Sequence, residues 1–421
     1  MFMLYVPFIF FSIFLYHSIK HRGFFSIATL LIFVYVLTSF FSILLDVTDA
    51  YQRNCEKIEI NLFPTIAYCL LLFVTISPFY KLQDNNIVHF ARVGNAKILD
   101  WIVVAYAIMF VLMVIILTPD LIRNWTIATI NENLKAELRF GDEKAISVTG
   151  WKLFIANRCI LLSFGSLNIL PIFFYNICFR NKKKYFHFIT IIASMTMLFT
   201  SVLHQDRSRI VYWMMLFAMC YVFFYKFMNA EVRKKMKHLF YIIITLCVSY
   251  VVIMNIRRFY VGYEDNIESL LGIINYAGQS FFNFCHFFET VELNKINITA
   301  GFPITSYLLG IDISSADWYD YVENITGFYA VVFSTFIGEL ISYMGIPLTL
   351  FWVFMYYFIT KISIKLKVTN TITFYKFQIL FTLFCVPYLG VFVHYFHAFI
   401  TELLSIMFII VAYLATYKRI R

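Results

Sequence analysis

Residues 24–45 read FFSIATLLIFVYVLTSFFSILL, an apolar stretch without a charged side chain. A helix needs about 20 such residues to cross the roughly 30 Å of hydrocarbon in a bilayer. The stretch therefore predicts a membrane-spanning helix, and the rest of the chain repeats the pattern. Of the 421 residues, 61% are hydrophobic, 20% are aromatic and 14% are charged. This composition excludes a soluble enzyme, because one soluble core of this size cannot bury so many aromatic side chains.

Ten further runs meet the same test of length and composition. Together they predict an all-α, polytopic membrane bundle of about eleven spanning helices. The first run lacks the positively charged start and the cleavage site of a signal peptide, so we expect it to be retained. The eleven runs are Phe2–Ile19, Phe24–Leu45, Asn61–Tyr80, Ile98–Thr118, Leu153–Phe179, Phe186–Leu203, Ile210–Met228, Leu239–Ile256, Gly345–Thr360, Phe374–Val393 and Phe396–Tyr417.

The basic residues between the runs set the predicted orientation, because short cytoplasmic loops carry the excess of Lys and Arg. One set of alternate loops holds 21 basic residues against three acids, whereas the other set holds 13 basic and 21 acidic residues. We therefore expect the N-terminus outside and the C-terminus in the cytoplasm. The formal net charge of +10 is thus a topology signal and does not indicate a nucleic-acid partner.

Two long stretches lie outside the predicted spans. Residues 119–151 mix apolar and charged side chains as an amphipathic helix on an external surface does. Residues 257–327 carry a net charge of −6 and are expected to form a large external loop that carries function. The following residues, 328–344, are interpreted as a membrane-dipping segment that hinges at Gly345 and Pro347 into the ninth span. The predicted organisation is residues 1–256 with spans one to eight, residues 257–327 as the external loop, and residues 328–421 with the dipping segment and spans nine to eleven.

Arginines gather at the predicted outer boundary of the membrane. Arg207 and Arg209 lie in the short outer loop before span seven. Arg257 and Arg258 follow span eight on the same side. A guanidinium binds phosphate oxygens as a planar fork and keeps its charge near hydrocarbon, so these residues are candidates for binding a lipid-linked pyrophosphate. The alternative is that they anchor the helices in the headgroup layer. Arg158, in span five, is expected to face the bundle interior or a water-filled cavity, or to pair with a carboxylate.

Three residues are candidates for a general base. Glu339 is the first choice, because it is an acid in the interrupted apolar segment before Gly345; hydrogen bonding at a helix end is its alternative role. His286 precedes Glu289 by three residues in an aromatic-rich helical pattern over residues 267–293, so the two share a helix face, although an ordinary amphipathic helix also explains them. His397 flanks the last outer turn.

The sequence does not indicate a metal or another cofactor. Its eight cysteines lack CxxC spacing and have no paired histidines nearby. Asp46 and Asp49 would suit a metal-dependent lipid-phosphosugar transferase, but they follow span two, which weakens that interpretation.

The chain resembles the oligosaccharide repeat-unit polymerase family, the Wzy-type polymerases of O-antigen and capsule. The resemblance covers most of the chain in architecture, with about eleven spans and a long late outer loop. Arg139 and Gly150 also have a spacing reported for substrate-binding loops of such polymerases. The more specific similar segments are Asp206-Arg207-Ser208-Arg209 before span seven, Arg257-Arg258 after span eight, and residues 335–348 with a Gly, an acid and a later Gly-x-Pro.

The resemblance implies transfer of a growing glycan from undecaprenyl pyrophosphate to a hydroxyl group of the next lipid-linked repeat unit, at the outer face of the bacterial inner membrane. It implies a glycosyltransferase that uses the arginines on the leaving pyrophosphate and one base on the acceptor. The sequence has no Gly-rich phosphate loop and no metal cluster, so we expect this enzyme to be metal-independent. Its partners would be the lipid-linked oligosaccharide, membrane lipids, a flippase and a chain-length regulator. The alternatives are an O-antigen ligase and a lipid-oligosaccharide flippase or other transporter. Internal repeats would favour a transporter, and the sequence contains none that we can detect.

Overall fold

The part of the chain that can be described is almost entirely helical. The computed structural model describes residues 2–51, 55, 57–82, 87–130, 146–180, 182–204, 208–262, 267–291, 297–299, 301–311, 320–324, 333–365, 370–396 and 398–417. Within helices, the side chains of residues 127–130, 247, 251–252, 254–262 and 267–271 lie outside this description.

The helices are numbered in chain order. They are α1 Phe2–Arg22, α2 Ile27–Thr48, α3 Leu62–Lys81, α4 Ala96–Ile130, α5 Gly150–Ser163, α6 Ile169–Phe179, α7 Lys184–Ser194, α8 Thr196–Leu203, α9 Ser208–Phe224, α10 Ala230–Gly262, α11 Ile267–Thr290, α12 Pro303–Leu308, α13 Thr335–Ser363, α14 Phe374–Leu389 and α15 Phe399–Tyr417. Two short strands, β1 His89–Phe90 and β2 Thr371–Ile372, pair in parallel.

Nine helical stretches in the described residues are long and apolar enough to cross a membrane, and each coincides with a predicted span. The protein is therefore an all-α, polytopic membrane bundle, as predicted. The count of eleven is not confirmed. α14 has only 16 residues, about 24 Å of helix, and α10 is not among the nine. The nine are Phe2–Arg22, Ile27–Thr48, Leu62–Lys81, Ala96–Thr126, Gly150–Phe179, Lys184–Leu203, Ser208–Phe227, Thr335–Ser363 and Phe399–Tyr417.

The prediction that the chain leaves its fourth helix at residue 119 is wrong, because α4 continues through Pro119. A proline inside a helix costs about 3 kcal/mol, so other contacts must offset that cost. Two buried side chains of α4 that follow Pro119 make such contacts. One carboxylate oxygen of Asp120 accepts the N–H of Ser147 at 3.1 Å. The amide of Asn124 donates to the carbonyl of Leu203 at 3.0 Å.

Helical structure also extends into the predicted external loop, residues 257–327. α10 continues to Gly262, so Arg257 and Arg258 lie in its last turns and do not follow it. α11 fills much of the remaining stretch and confirms the helical pattern predicted for residues 267–293. Whether any of this region lies outside the membrane stays a prediction. The rest of the predicted amphipathic loop before α5, residues 131–145, lies outside the described residues.

By its internal contacts the chain divides into two compact units. The first unit comprises Met1–Phe90, Leu270–Ile372 and Ile379–Leu403, and the second comprises Ala91–Ser269, Thr373–Gln378 and Leu404–Arg421.

Aromatic side chains form the core of the first unit. The rings of Phe11 and Tyr35 stack at 5.4 Å, and the Tyr35 hydroxyl donates to the carbonyl of Pro387 at 2.6 Å. Tyr68 packs edge-on against Phe281 of α11, with ring centres 4.9 Å apart. α11 is therefore part of this core.

The second unit is built around α4. Met113 and Leu117 of α4 pack with Cys159 of α5 and Leu203 of α8 in one buried cluster. At the other end of α4, Asp100 accepts two hydrogen bonds from the guanidinium of Arg180, at 2.6 and 2.8 Å, and one from Lys182 at 2.7 Å. These contacts fix the start of α4 against the end of α6.

α13 is broken at Gly345, which confirms the predicted hinge. Its φ of 73° and ψ of 173° are not helical, and this region of backbone space is essentially restricted to glycine. Residues 335–344 form a short arm and residues 346–363 form a long arm. Pro347 lies in the first turn of the long arm, where its missing N–H leaves no helical bond unmade.

Candidate functional site

The two arms of α13 lie side by side. The ring centres of Phe336 and Trp352 are 6.1 Å apart, although a straight helix would separate these residues by about 24 Å. The long arm is long and apolar enough to belong to a spanning helix. The short arm, about 15 Å long, therefore runs beside part of that span and cannot cross the membrane by itself.

The start of the short arm is strained and tied to the turn after α14. Thr335 has a φ of 64°, which is rare for a β-branched residue. Its N–H donates to the carbonyl of Phe392 at 3.1 Å, and the N–H of Phe336 donates to the carbonyl of Gly390 at 2.7 Å. The Thr335 hydroxyl accepts the N–H of Gly338 at 3.3 Å. Three donors at the start of a helix are thus satisfied inside the protein, where water is scarce.

Glu339 completes this attachment. The half-buried carboxylate accepts the backbone N–H of His394 through Oε2. His394 is 1% exposed, and its ring meets the Trp352 ring edge-on, with centres 5.3 Å apart. The structure therefore brings Glu339 and a buried histidine together at the side of the long arm. The sequence predicts His397, three residues later in the same turn, as a candidate base. His397 lies outside the described residues.

A buried polar stripe on α11 adjoins the short arm. Asn275, Gln279 and Asn283 recur every four residues and are at most 1% exposed. The Asn283 amide donates to Gln279 Oε1 at 3.2 Å and to the carbonyl of Phe333 at 2.9 Å. Gln279 Nε2 is buried without a hydrogen-bond partner among the described residues. Sequence reasoning missed this stripe, although its spacing of four in an aromatic helix was a usable signal.

His286 follows this stripe by one turn and is half-buried among aromatic rings, with Phe287 at 6.3 Å between ring centres. The exposed carboxylate of Glu289 accepts a hydrogen bond from Asn61 at 2.6 Å. Glu289 thus binds the residue that precedes α3, and the proposed pairing of His286 with Glu289 stays a prediction.

In the second unit, Arg209 is held by two neighbours. Its guanidinium lies 4.8 Å from the ring centre of Phe164, and Nη1 donates to the Thr200 hydroxyl at 3.1 Å. Both contacts fix the orientation of a half-buried cation at the start of α9. Arg207, two residues earlier, lies outside the described residues.

The remaining candidate arginines do not add to this arrangement. Arg158 is exposed, and its guanidinium lies 5.3 Å from the ring centre of Phe154, one turn earlier on α5. This exposed position does not support an Arg158 packed in the bundle interior, and a water-filled cavity or a carboxylate partner for it stays a prediction. The side chains of Arg257 and Arg258 are not described, and Arg139 lies outside the described residues.

Asp46 in the last turn of α2 and Asp49 just after it already have partners. The Tyr51 hydroxyl donates to Asp46 at 2.8 Å, and burial together with this carboxylate raises the pKa of Tyr51. Lys57 donates to Asp49 at 2.9 Å, and this hydrogen bond raises the pKa of Lys57. Across the described residues, no three His, Cys, Asp or Glu side chains are grouped so that they could hold a metal ion. Metal independence itself stays a prediction.

Comparison of the chain with models of known protein families, with curated proteins and with solved structures finds no match. The geometry described above therefore carries the functional argument alone.

Proposed function

We propose that this protein is a repeat-unit polymerase, a glycosyltransferase that extends a glycan carried on undecaprenyl pyrophosphate. A base takes the proton of an acceptor hydroxyl group, and the hydroxyl oxygen forms a bond to the anomeric carbon of the donor glycan. The bond from that carbon to the pyrophosphate oxygen breaks, and its electron pair leaves with the lipid pyrophosphate. The reaction needs one base and cations for the leaving group, and it needs no redox cofactor.

The observation that carries the proposal is the position of Glu339 on the short arm. An ionisable group among spanning helices is costly and is a functional candidate by default. Here the carboxylate is oriented by the N–H of His394 and stands between the strained Thr335 and the helix break at Gly345. Strained backbone of this kind persists where the surroundings fix it, and it gathers at functional sites. We assign Glu339 the role of the base.

The polar stripe of α11 supports a carbohydrate substrate. Asn and Gln side chains offer both donors and acceptors, as sugar hydroxyl groups require. Gln279 Nε2 is a buried donor for which no protein partner is described, and such a group calls for a water molecule or a ligand. We assign this stripe to contacts with the glycan.

Arg209 supports the leaving-group half of the proposal. Its guanidinium is already oriented by Phe164 and Thr200, so little side-chain freedom would be lost on binding pyrophosphate. Arg207, Arg257, Arg258 and Arg139 remain candidates from the sequence. Arg158 is the weakest of the set because it lies on the exposed surface of α5.

A gene deletion tests the proposal against its alternatives. In a strain that makes a matching repeat unit, loss of a polymerase leaves single repeat units. Loss of a ligase leaves unattached long polymer, and loss of a flippase leaves precursor on the cytoplasmic face. Only the first outcome, reversed by the wild-type gene, agrees with the proposal. A purified protein that extends lipid-linked repeat units at the same rate with and without EDTA would support the metal-independent form.

The membrane side is part of the proposal. A polymerase at the outer face of a bacterial inner membrane would receive substrate from a flippase and be limited by a chain-length regulator. Reporter fusions at Lys183, Asn294 and Arg421 test the orientation. An externally active reporter at Lys183 would contradict it.

A further inference from the structure

A groove on the first unit joins apolar walls to a cationic end. It is a shallow groove between α1 and α3 that is open on one side. Phe10 and Phe14 line one wall, Phe73 and Tyr80 line the other, and the buried Ile32 and Ile76 form the floor.

The groove is narrow, and apart from Ser77 its walls are aromatic and aliphatic side chains. The rings of Phe14 and Phe73 meet across it, with centres 4.9 Å apart, and Phe10 and Phe73 follow at 6.3 Å. All three rings are half-buried, so a slender chain can lie against them from the open side. An acyl chain has this shape, whereas a sugar or a nucleotide would lose its hydrogen bonds to water in such a place.

Basic side chains follow directly at one end of the groove. Tyr80 belongs to the groove wall, and the guanidinium of Arg22 lies 4.7 Å from its ring centre. The His17 ring stacks on Tyr80 at 6.0 Å and lies 4.2 Å from the ring of His21. Lys20 is exposed three residues after His17, on the same side of α1.

The charge at this end is one-sided. The sequence contains no Asp or Glu before Asp46, which lies at the opposite end of α2. Lys81 adds another exposed cation at the end of α3, and Asp84 lies outside the described residues. An anionic headgroup placed here therefore lies close to basic side chains from the C-terminal ends of both α1 and α3.

We propose that this groove is a binding site for one anionic phospholipid, with its acyl chain along Phe10, Phe14 and Phe73 and its phosphate at Lys20 and Arg22. In a bilayer the acyl chain is already in hydrocarbon, so it gains little free energy from entering an apolar groove. The groove positions the lipid, and the headgroup charge decides which lipid is preferred. By the charge distribution of the loops, this end faces the cytoplasmic leaflet, where anionic lipids attract basic residues. The site is independent of the proposed function.

Native mass spectrometry of the purified full-length protein tests the proposal. The probes are dioleoyl phosphatidylglycerol and dioleoyl phosphatidylcholine, which share their acyl chains and differ in charge. We expect the first phosphatidylglycerol to bind several-fold more tightly. Lys20→Gln and Arg22→Gln should each weaken it by about fivefold, the effect of one cation near a lipid surface, and leave phosphatidylcholine unchanged. Equal binding of the two lipids to wild type would overturn the proposal.

Two further variants separate the groove from general surface charge. Ser77, 8% exposed, also lines the groove, so Ser77→Leu should fill it and weaken both lipids. Lys361→Gln removes an exposed cation that stacks on Tyr357 and lines no part of the groove, so it should leave both lipids unchanged. Undiminished binding to Ser77→Leu, or a loss in Lys361→Gln equal to that in Lys20→Gln, would overturn the proposal. Arg22→Lys keeps the charge and should therefore retain the preference for phosphatidylglycerol. It shows whether weaker binding by Arg22→Gln comes from the lost charge or from a folding defect. Melting temperatures of all variants establish that each is folded.

Discussion

α4 and α13 are two long helices that each carry a proline and an acid bound to a distant backbone N–H. In α4, Asp120 accepts the N–H of Ser147. In α13, Glu339 accepts the N–H of His394. The two acids thus make the same kind of bond from the same kind of element. The backbone around them differs.

α4 passes through Pro119 without a break, whereas α13 reverses at Gly345, two residues before Pro347. Around Asp120 the polar groups serve attachment, since Asn124 of the next turn is bound to a carbonyl of α8. Around Glu339 the backbone is strained on one side, at Thr335, and the helix is broken on the other, at Gly345.

The comparison predicts a structural role for Asp120 and a functional role for Glu339. A residue with strained backbone angles costs about 1–3 kcal/mol and persists only where the surrounding structure imposes those angles. A helix that serves only for packing does not need such a residue. An acid in an unbroken helix needs no such backbone. We therefore expect substitution of Asp120 to change stability and substitution of Glu339 to change activity.

The largest expected effect is that of Glu339→Gln. A glutamine oxygen can still accept the N–H of His394, so the short arm should stay attached and the melting temperature should change little. The base is lost, which should lower the polymerisation rate of the purified protein by about a thousandfold. The matched control is Asp120→Asn, which keeps an oxygen for the N–H of Ser147 but loses the ion pair with Arg123 at 3.8 Å, so we expect a lower melting temperature and a retained rate. The opposite pattern, with Asp120→Asn inactive and Glu339→Gln active, would reverse the assignment of the two acids.

Arg209→Lys should have the next largest effect, about a hundredfold loss of rate. An ammonium keeps the charge but cannot grip pyrophosphate as a planar fork, and losing one such donor costs on the order of 3 kcal/mol. The control is Arg233→Lys, because Arg233 also stacks on an aromatic ring, that of Tyr225 at 4.6 Å. Polymer length on a gel, at equal membrane abundance, gives the readout. Full-length polymer from Arg209→Lys would return Arg209 to the role of an interface anchor.

Gly345→Ala should reduce stability by about 2 kcal/mol, because alanine resists the backbone conformation found there. The short arm would shift, so polymer formation should fall as well. Gly310→Ala is the control: Gly310 has a φ of 66° with nothing within 4 Å of its added Cβ. It should lose comparable stability and keep polymer length. If both variants lose stability but both keep polymer length, the fold of the arm is not needed for the activity.

Much of this fold follows from local sequence, because the bilayer imposes a length that apolar runs reveal. The nine long apolar helices, the helix over residues 267–290 and the break at Gly345 were all predictable in this way. A glycine and a proline two residues apart in an apolar run indicate a break, since one tolerates unusual backbone angles and the other fits a first helical turn.

The site was less predictable, because its contacts join distant parts of the chain. Glu339 could be chosen from its apolar neighbours, but its bond to His394 spans 55 residues and leaves no local pattern. The same reason explains the error at Pro119. The proline signals an end locally, while the bonds of Asp120 to Ser147 and Asn124 to Leu203 are made across 27 and 79 residues.

The smallest expected effect on activity is that of replacing the prolines. Pro119→Ala restores an N–H inside α4 and relieves the helix-interior cost of proline, about 3 kcal/mol. It also frees the unfolded chain, which destabilises by about 0.4–1 kcal/mol, so we expect a net gain in stability of about 2 kcal/mol. Pro347→Ala restores no bond, because position 347 lies in a first helical turn, and only the small unfolded-chain effect remains. Denaturant titration in detergent should therefore find Pro119→Ala more stable than wild type and Pro347→Ala within about 1 kcal/mol of it, both with full polymer length. If Pro347→Ala abolished polymer as Gly345→Ala is expected to, the proline would cause the reversal of α13, and the contrast with α4 would rest on where each proline lies and not on the glycine.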